Sequence, residues 1–241
     1  MKYAIISDIH NNFEALTNVL SACRLHRVEQ IYCAGDIVGY AANPIECLQL
    51  VRETNIMCVA GNHDWAVCGR LDAMYFNEWG KVGIEYTRNN LSLSDFEFLA
   101  NLELSYANPD LVIVHGTLNQ PEAFQYLDDI TKVPDTCSLM KAPVCFVGHT
   151  HEPKIYIKKG NNIYYSDVLD VEMKDDAQYI INVGSVGQPR DGNPLASFCV
   201  YDSVDRSVTI HRIPYDIQAA QEKIIAAGLP EYVAHRLSLG Q

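Results

Sequence analysis

The chain has 241 residues, 48% of them apolar, a formal net charge of −12 and a pI near 5.0. Its length and apolar content predict one domain, residues 1–241, with a large buried core. The negative charge argues against stable binding to nucleic acid or to an anionic membrane. It does not exclude a phosphate substrate, because bound cations would reverse the local sign of the charge.

The cysteines and the N-terminal sequence bear on the compartment. No stretch reaches the ~18 apolar residues of a membrane span, and the first residues run directly into a strand pattern without room for a signal peptide. The eight cysteines form no C-x-x-C pair, and most lie in apolar runs, for example Cys33 and Cys145. Reduced cysteine acts as a small hydrophobic residue in such runs. We therefore expect a cytoplasmic protein with free thiols.

The first sixty residues alternate between strand and helix patterns. Their apolar runs are Tyr3 to Ile6, Gln30 to Ala34 and Ile56 to Ala60. A helix is predicted from the cap Asn12 to about Arg27. Another is predicted from Asn43 as cap, with Pro44 at its first position, to about Glu53. This order is typical of a parallel sheet with right-handed crossovers.

The remaining chain is helical at first and then rich in strands. Helical periodicity extends from Asp72 to Leu102, and Ser94-Asp95-Phe96-Glu97 is predicted as the capping box of its last helix. The strand patterns are Leu104 to Tyr106, Leu111 to Val114, Val144 to Val147, Lys154 to Ile157, Asn162 to Ser166, Tyr179 to Val183, Ser197 to Tyr201 and Ser207 to Arg212. Residues 117–143 are mixed and polar, with one short helix expected, and are a candidate to cover a site. Asp216 is predicted to cap a closing helix that ends at Gly228.

Five of the apolar runs end in side chains of the metal-ligand type. These are Asp8 with His10, Asp36, Asn62 with His63, His115, and His149 with His151. Asp8 and His10 are two residues apart, so on extended backbone their side chains point to the same side. Alone, this spacing also fits a surface aspartate and a capping histidine. Because ligands bind at the carboxyl ends of strands in open α/β sheets, the five sets together predict one shared site.

The composition of these sets indicates the metal. Two aspartates, one asparagine and at least four histidines favour manganese, iron, zinc or nickel over magnesium. The set has too many ligands for one ion, and it fits two ions about 3.5–4 Å apart that share one carboxylate. The remaining histidines, His26, His211 and His235, do not follow these runs and are interpreted as ordinary.

The motifs D-x-H, G-D, G-N-H-D, a single His before Gly, and G-H-x-H follow one another between residues 8 and 151. In that order they resemble the calcineurin-like metallophosphoesterase superfamily. The stretches N-P-I-E-C at 43–47 and N-V-G-S-V-G-Q-P-R at 182–190 look like the compact bacterial phosphodiesterase branch, which includes proteins related to diadenosine tetraphosphate hydrolases. The resemblance implies an α/β fold, a four-layer α/β/β/α sandwich of two mixed sheets with a two-metal site at the C-terminal ends of strands.

The resemblance also implies a role for each matching residue. The ligands of the first metal would be Asp8, His10 and His151, those of the second Asn62, His115 and His149, and the bridging carboxylate Asp36. His63 matches the family's catalytic histidine, which meets the leaving oxygen. Asn12 lies where family members often have an asparagine near the site, although it fits a helix cap equally well. Arg190, just after a Gly-rich turn, is a candidate to bind a phosphate of the substrate, with a surface salt bridge as the alternative.

The leading hypothesis is a two-metal hydrolase of phosphodiester or phosphoanhydride bonds in small nucleotides, with manganese as the first choice of metal. A metal-bound hydroxide would attack phosphorus, and His63 as imidazolium would donate a proton to the leaving oxygen. Asp64 either orients His63 or caps the next helix. The sequence leaves the physiological substrate and the oligomeric state open.

The sequence disfavours three alternative functions. A phosphomonoesterase or phosphoprotein phosphatase is disfavoured because Gly39 and Tyr40 stand where the protein-phosphatase branch carries Asp-Arg, which also removes the acid that would orient His63. A non-catalytic scaffold that kept the fold is disfavoured because His63 and all proposed ligands are present. A nuclease is disfavoured by the net charge of −12 and by the lack of a basic stripe.

Overall fold

The computed structural model describes residues 1–166 and 168–241. The strands in these ranges are β1 (Lys2–Ile6), β2 (Gln30–Cys33), β3 (Met57–Cys58), β4 (Ser105–Ala107), β5 (Val112–Val114), β6 (Val144–Val147), β7 (Lys154–Lys159), β8 (Asn162–Ser166), β9 (Asp170–Glu172), β10 (Gln178–Asn182), β11 (Ala196–Asp202) and β12 (Ser207–Ile213). The α-helices are α1 (Phe13–Leu25), α2 (Pro44–Glu53), α3 (Asn62–Val67), α4 (Glu78–Asn90), α5 (Leu93–Ala100), α6 (Val133–Leu139), α7 (Ile217–Ala226) and α8 (Glu231–Leu239).

The strands form two six-stranded mixed sheets. The first has the order β3-β2-β1-β11-β12-β9 and the second the order β4-β5-β6-β10-β7-β8. Strands β1, β2 and β3 run parallel in the first sheet, and β5, β6 and β10 run parallel in the second. Each parallel set therefore ends at one edge of its sheet, and the loops that leave these edges carry the predicted ligands.

Apolar side chains divide the molecule into layers. One cluster, which includes Ile5, Phe146 and Tyr201, holds side chains from both sheets and fills the space between them. A second packs α1, α2, α7 and α8 on the outer face of the first sheet, and a third packs α6 on the outer face of the second. This arrangement confirms the predicted four-layer α/β/β/α sandwich. Among the described helices the longest have 13 residues, and none is long and apolar enough to cross a membrane.

Local signals placed most elements correctly. Asn12 accepts a hydrogen bond from the backbone N–H of Ala15 at 3.1 Å and so caps α1 as predicted. The capping box of α5, however, is formed by Ser92 and Asp95, two residues before the predicted Ser94. Both serines have an acidic residue three positions later, which is the spacing of a capping box. Which serine caps α5 depends on where α4 ends.

Three other expectations needed correction. Strand β3 is shorter than predicted: only Met57 and Cys58 pair in register with β2, and Val59 forms an isolated bridge with Glu103. Helix α7 is capped by Asp216 and ends before Gly228 as predicted, but α8 was not predicted, and it buries Val233 and Leu237. Strand β9 was not predicted, since its three residues are held by pairing with β12 rather than by a periodic pattern of their own.

Candidate metal centre

The loops after β1, β2 and β3 meet the loops after β5 and β6 where the two parallel edges face each other. They bring together every predicted metal ligand and the predicted catalytic residue: Asp8, His10, Asp36, Asn62, His63, His115, His149 and His151. All of these side chains are buried except that of Asn62, which is half-buried. Gly148 allows the sheets to approach, because a Cβ there would collide with Ser7 and Asp8.

Asp8, His10 and His151 form the first candidate cluster. The Nε2 atoms of His10 and His151 are 3.1 Å apart, and Asp8 Oδ1 is 3.3 Å from His151 Nε2. The Asp8 carboxylate is held by the backbone N–H of His149, which donates to Oδ2 at 3.1 Å. Two nitrogen atoms and one carboxylate oxygen thus converge on one point.

Asp36, His115 and His149 form the second candidate cluster, and Asn62 belongs with it. His115 Nε2 is 3.3 Å from Asp36 Oδ2 and 3.1 Å from Asn62 Oδ1. The ring of His149 lies 4.6 Å from that of His115, measured between centroids. This cluster offers the donors that the sequence assigns to the second metal.

Asp36 lies between the two clusters. Its Oδ1 accepts the backbone N–H of His63 at 2.9 Å, which fixes the carboxylate. Its Oδ2 is 3.6 Å from His10 Nε2 and 3.3 Å from His115 Nε2. One oxygen atom therefore faces both donor sets, as a bridging ligand must.

The hydrogen bonds of three histidines suit a cation at this site. His10 donates its Nδ1–H to Val38 O at 3.1 Å, His115 to Ala34 O at 2.7 Å, and His151 to Gln188 O at 2.6 Å. With Nδ1–H held in this way, Nε2 is the atom of each ring that faces a metal once the ring is neutral, which is how metal-binding histidines are usually oriented. Burial lowers the pKa of His10 and of His151, which favours neutral rings. Their Nε2 atoms lie 3.1 Å apart, close enough to serve one ion.

The charges of the site support the same conclusion. Burial alone would raise the pKa of Asp36 and of Asp8, but neighbouring histidines, His115 and His151 respectively, hold both carboxyl groups below their ordinary values. Burial alone would lower the pKa of His115, but Asp36 outweighs it and raises the pKa to about 9. Two buried anions close to each other require compensation, which divalent cations supply.

The backbone of the site is held in an uncommon conformation. Asp8, His10, Asp36, His149 and His151 all have positive φ, between 49° and 68°. Non-glycine residues rarely adopt this left-handed region, and each instance costs of the order of 1–3 kcal/mol unless its surroundings enforce it. Such strain concentrates at functional sites. Here the left-handed backbone directs the side chains of ligands from separate turns toward one point.

Asp64 enforces part of this geometry. Its Oδ2 accepts the backbone N–H groups of Asp36 and Gly61, both at 2.9 Å, and its Oδ1 accepts those of Ile37 at 2.9 Å and Val38 at 3.2 Å. Burial and the nearby Asp36 raise the pKa of Asp64 to about 7, although four N–H donors favour the ionised form. Asp64 therefore acts as the cap of α3 and as the support of the Asp36 loop, and it does not orient His63.

A model of the calcineurin-like phosphoesterase superfamily domain matches residues 1–206. The chain belongs to this superfamily. It is 38% identical over 247 residues to an uncharacterised protein of Methanocaldococcus jannaschii, which covers 99% of this chain and 98% of that protein. The crystal structure of a metallophosphoesterase from Sphaerobacter thermophilus has a TM-score of 0.87 and 35% identity, with 100% of both chains covered. A putative diadenosine tetraphosphatase shares the fold, with a TM-score of 0.52, 13% identity and coverage of 88% of this chain and 94% of that one.

As a calcineurin-like phosphoesterase, the chain is a phosphoric ester hydrolase with a candidate site for divalent metals. In this metallophosphoesterase His63 lies beside the ligands, 4.8 Å from the His10 ring and 4.7 Å from the Tyr40 ring between centroids. Its buried Nδ1 has no hydrogen-bond partner in residues 1–166 and 168–241. His63 also falls within a third possible ligand group with His10 and Asp36, so geometry allows it a ligand role as well as a proton-transfer role.

The structure does not support Asn12 as a substrate-binding residue. Its side chain is 1% exposed, and while its oxygen caps α1 its amide donates to Gly187 O at 2.9 Å. The helix-cap alternative is therefore the one observed. Asn11, whose effect the sequence did not reveal, is a second buried bridge, since its amide donates to Gly39 O at 2.7 Å and to Thr87 Oγ1 at 3.0 Å.

Arg190 lies at the rim of the metallophosphoesterase site. Its guanidinium donates to Gln188 Oε1 at 2.8 Å and sits 5.7 Å from the centroid of the Tyr40 ring. The described residues provide no carboxylate partner for it, so the surface salt bridge is not observed, and its buried Nε is unpartnered. A side chain in this state remains available for an anion.

Part of the segment 117–143 lies against the site and adds residues that the sequence did not single out. The ring of Tyr126 stacks on His149 at 3.9 Å with an interplanar angle of 13°, and Phe124 lies 6.0 Å from His115 between centroids. The loop is anchored because Tyr156 donates its hydroxyl to Leu127 O at 3.1 Å. No local pattern marks Tyr126, because its role depends on a contact between distant parts of the chain.

Proposed function

We propose that the chain hydrolyses phosphodiester or phosphoanhydride bonds of small nucleotides at a centre of two metal ions. The observation that carries this proposal is the Oδ2 atom of Asp36, which faces both His10 Nε2 at 3.6 Å and His115 Nε2 at 3.3 Å. In two-metal sites for in-line phosphoryl displacement, two ions share one carboxylate. A single carboxylate between two buried donor clusters fits that arrangement. Members of this family act on small phosphorylated substrates, and the nucleotide class is the finer part of the proposal.

The residues divide into two ligand sets and one acid. Asp8, His10 and His151 would hold one ion, and Asn62, His115 and His149 the other, with Asp36 shared. When bound, the ions lower the pKa of a water nucleophile and neutralise the charge of the phosphoryl oxygens. His63 would give a proton to the leaving oxygen, and Arg190 would bind a non-reacting phosphoryl oxygen. Manganese is the first choice, because mixed nitrogen and oxygen donors suit it.

The loop around Gly39 supports a small substrate over a phosphoprotein. Gly39 has φ +146°, and a Cβ there would collide with His10 Nδ1 and lie 3.1 Å from His63 Nδ1. The aspartate of the protein-phosphatase branch therefore does not fit this loop. Tyr40 follows and covers His10 at 4.9 Å between ring centroids. His63 is accordingly placed by aromatic contacts and not by an acid.

Two coarser expectations belong to the same proposal. We propose that residues 1–241 act as one domain, because β1 at the start of the chain pairs with β11 near its end. We also propose a reducing, cytoplasmic setting, supported by the eight cysteines, all of which are free thiols.

The test is a substrate panel on manganese-loaded protein, with the Asp36→Asn variant as the control for metal dependence. It compares bis-aryl phosphate, aryl monophosphate, cyclic nucleotides, dinucleoside polyphosphates and phosphoserine peptides. We expect the highest kcat/KM on a nucleotide diester or polyphosphate, and none without metal. Faster turnover of phosphopeptides than of every nucleotide would overturn the proposed substrate class and favour the phosphatase alternative.

A further inference from the structure

A cavity of about 560 Å³ opens beside His63, and the candidate metal ligands Asn62 and His149 also line it. Its walls are mainly aromatic, formed by Tyr40, Tyr75, Phe76, Phe124 and Tyr126. We propose that this aromatic cavity binds the neutral, planar base of a nucleoside that departs as the leaving group. This inference rests on the proposed function, and it specifies which part of the nucleotide lies where.

The position of Phe76 connects the aromatic cavity with the leaving group. Its ring lies 4.8 Å from the ring of His63, edge to face. A leaving oxygen that takes a proton from His63 is therefore close to this wall, and the group attached to that oxygen extends into the cavity. Bond cleavage would separate phosphorus from the nucleoside oxygen, the oxygen of water would bond to phosphorus, and the nucleoside oxygen would receive the proton.

The aromatic rings offer faces for stacking. Tyr75 is 78% exposed at the mouth of the cavity, so its ring is free to pack on a ligand. Phe124 is 6% exposed and is held against Trp65, 5.3 Å away between centroids, and Tyr126 is held against His149. The lining therefore combines rings that are held in place with one that is free to pack on a flat group. Stacking of one base on an aromatic side chain typically supplies 1–3 kcal/mol.

The polar groups of the aromatic cavity favour a base over an anion. The lining contains no lysine or arginine, and its polar side chains apart from the site residues and tyrosines are Asn77 and Glu122. Asn77 uses its Oδ1 to cap α4 through Gly80 N at 2.8 Å, which leaves its amide hydrogens to face a ligand. Glu122 is exposed and repels phosphate while accepting hydrogen bonds from an amino group. These features match a nucleobase.

A second cavity of about 370 Å³ lies on the other side of Tyr126, and it differs in its charged groups. Its lining includes the cations Arg190 and Lys154 together with the carboxylates Asp128 and Glu152. Arg190 donates to Gln188 Oε1, but its Nε has no partner among the described residues, so a non-reacting anionic group of the substrate is better placed here than in the aromatic cavity. With its anionic groups near Arg190, the substrate is oriented with its leaving nucleoside toward His63.

The experiment uses two diesters that differ only in the base, methyl adenosine 5′-phosphate and methyl ribose 5-phosphate, with the manganese-loaded protein. Both alcohols of each diester are poor leaving groups of similar acidity, so the protein decides which bond breaks. We expect adenosine and methyl phosphate as products, and a kcat/KM for the adenosine diester that is about 5- to 150-fold higher than for the abasic one. Adenosine monophosphate and methanol as products would contradict the assigned orientation.

Variants of the wall test the residues themselves. Tyr75→Ala and Phe76→Leu should remove most of the preference for adenosine, because they should lower kcat/KM for the adenosine diester far more than for the abasic diester. Tyr164→Leu is the matched control, because this tyrosine is 47% exposed and lies on β8 outside both cavities. Calorimetry should show that adenosine, but not ribose, binds the wild type and binds Tyr75→Ala more weakly. Equal effects of the variants on both diesters would refute the aromatic cavity as a base site.

The outcomes separate this inference from the proposed function. If no nucleotide is cleaved while other phosphoesters are, the proposed function fails. If nucleotides are cleaved without any preference for the base, only the base site fails. A planar ring also occurs in phosphotyrosine, so a phosphotyrosine peptide is the third substrate. Faster turnover of that peptide than of the adenosine diester, lost in Phe76→Leu, would show that the cavity holds a tyrosyl ring.

Discussion

The four hydrogen bonds of Asp64 make the sharpest test of how the metal centre is built. In Asp64→Asn one carboxylate oxygen becomes an amino group, which cannot accept. Because each oxygen accepts two backbone N–H groups, two buried donors lose their acceptor and face another donor. An unsatisfied buried donor costs about 1–3 kcal/mol, so we expect the free energy of unfolding to fall by roughly 2–6 kcal/mol.

The same substitution should disturb both metal clusters. The donors are Asp36 itself, Ile37, Val38 and Gly61, and the carbonyl of Val38 also accepts the Nδ1–H of His10. A shift of this loop therefore moves the shared carboxylate and a ligand of the first cluster together. We expect metal content after dialysis to fall below one ion per chain.

The assay combines urea unfolding of the metal-free protein with metal analysis of the purified variant. The matched control is Asp95→Asn, since Asp95 is also the third residue of its helix and accepts the Ser92 N–H at 2.9 Å, but it lies outside the metal centre. The control should lose stability and keep both ions. An Asp64→Asn protein with an unchanged urea midpoint and two ions would refute the reasoning.

Three further predictions concern the ligands and the acid. Asp36→Asn should lower occupancy of both metal positions, whereas His149→Ala should mainly empty one; two ions retained in purified Asp36→Asn would contradict the bridging role. His63→Ala should keep both metals and part of the activity on nitrophenyl esters, but lose up to ~10²–10⁴-fold on alkyl-leaving esters; equal losses across leaving groups, or loss of a metal, would show that His63 is a ligand. Asp36 raises the pKa of His115 to about 9 despite burial, so a metal must displace its proton at neutral pH. Metal affinity should therefore rise between pH 7 and 9, by up to about tenfold per unit, and the stability of the metal-free protein should fall as pH rises through that window; titrations at fixed ionic strength check both.

The sequence by itself determined the chemistry of the site. A ligand that follows an apolar run is placed at a strand end by local patterning alone, so Asp8, Asp36, His115 and His149 were identified before any contact was known. Parallel strands end at a common edge, and convergence follows from topology. The helix cap at Asn12 and the length of α2 were also local properties of the chain.

Only the tertiary structure decided how these groups are held and what surrounds them. The role of Asp64 was ambiguous in the sequence, because its carboxylate oxygens accept hydrogen bonds from backbone N–H groups that are 26 to 28 residues away. Tyr126 and Phe76 became part of the site through contacts with His149 and His63 that no periodic pattern encodes. Side-chain chemistry is set by residue type and can be read locally, whereas packing and hydrogen bonds between distant segments depend on how the whole chain folds.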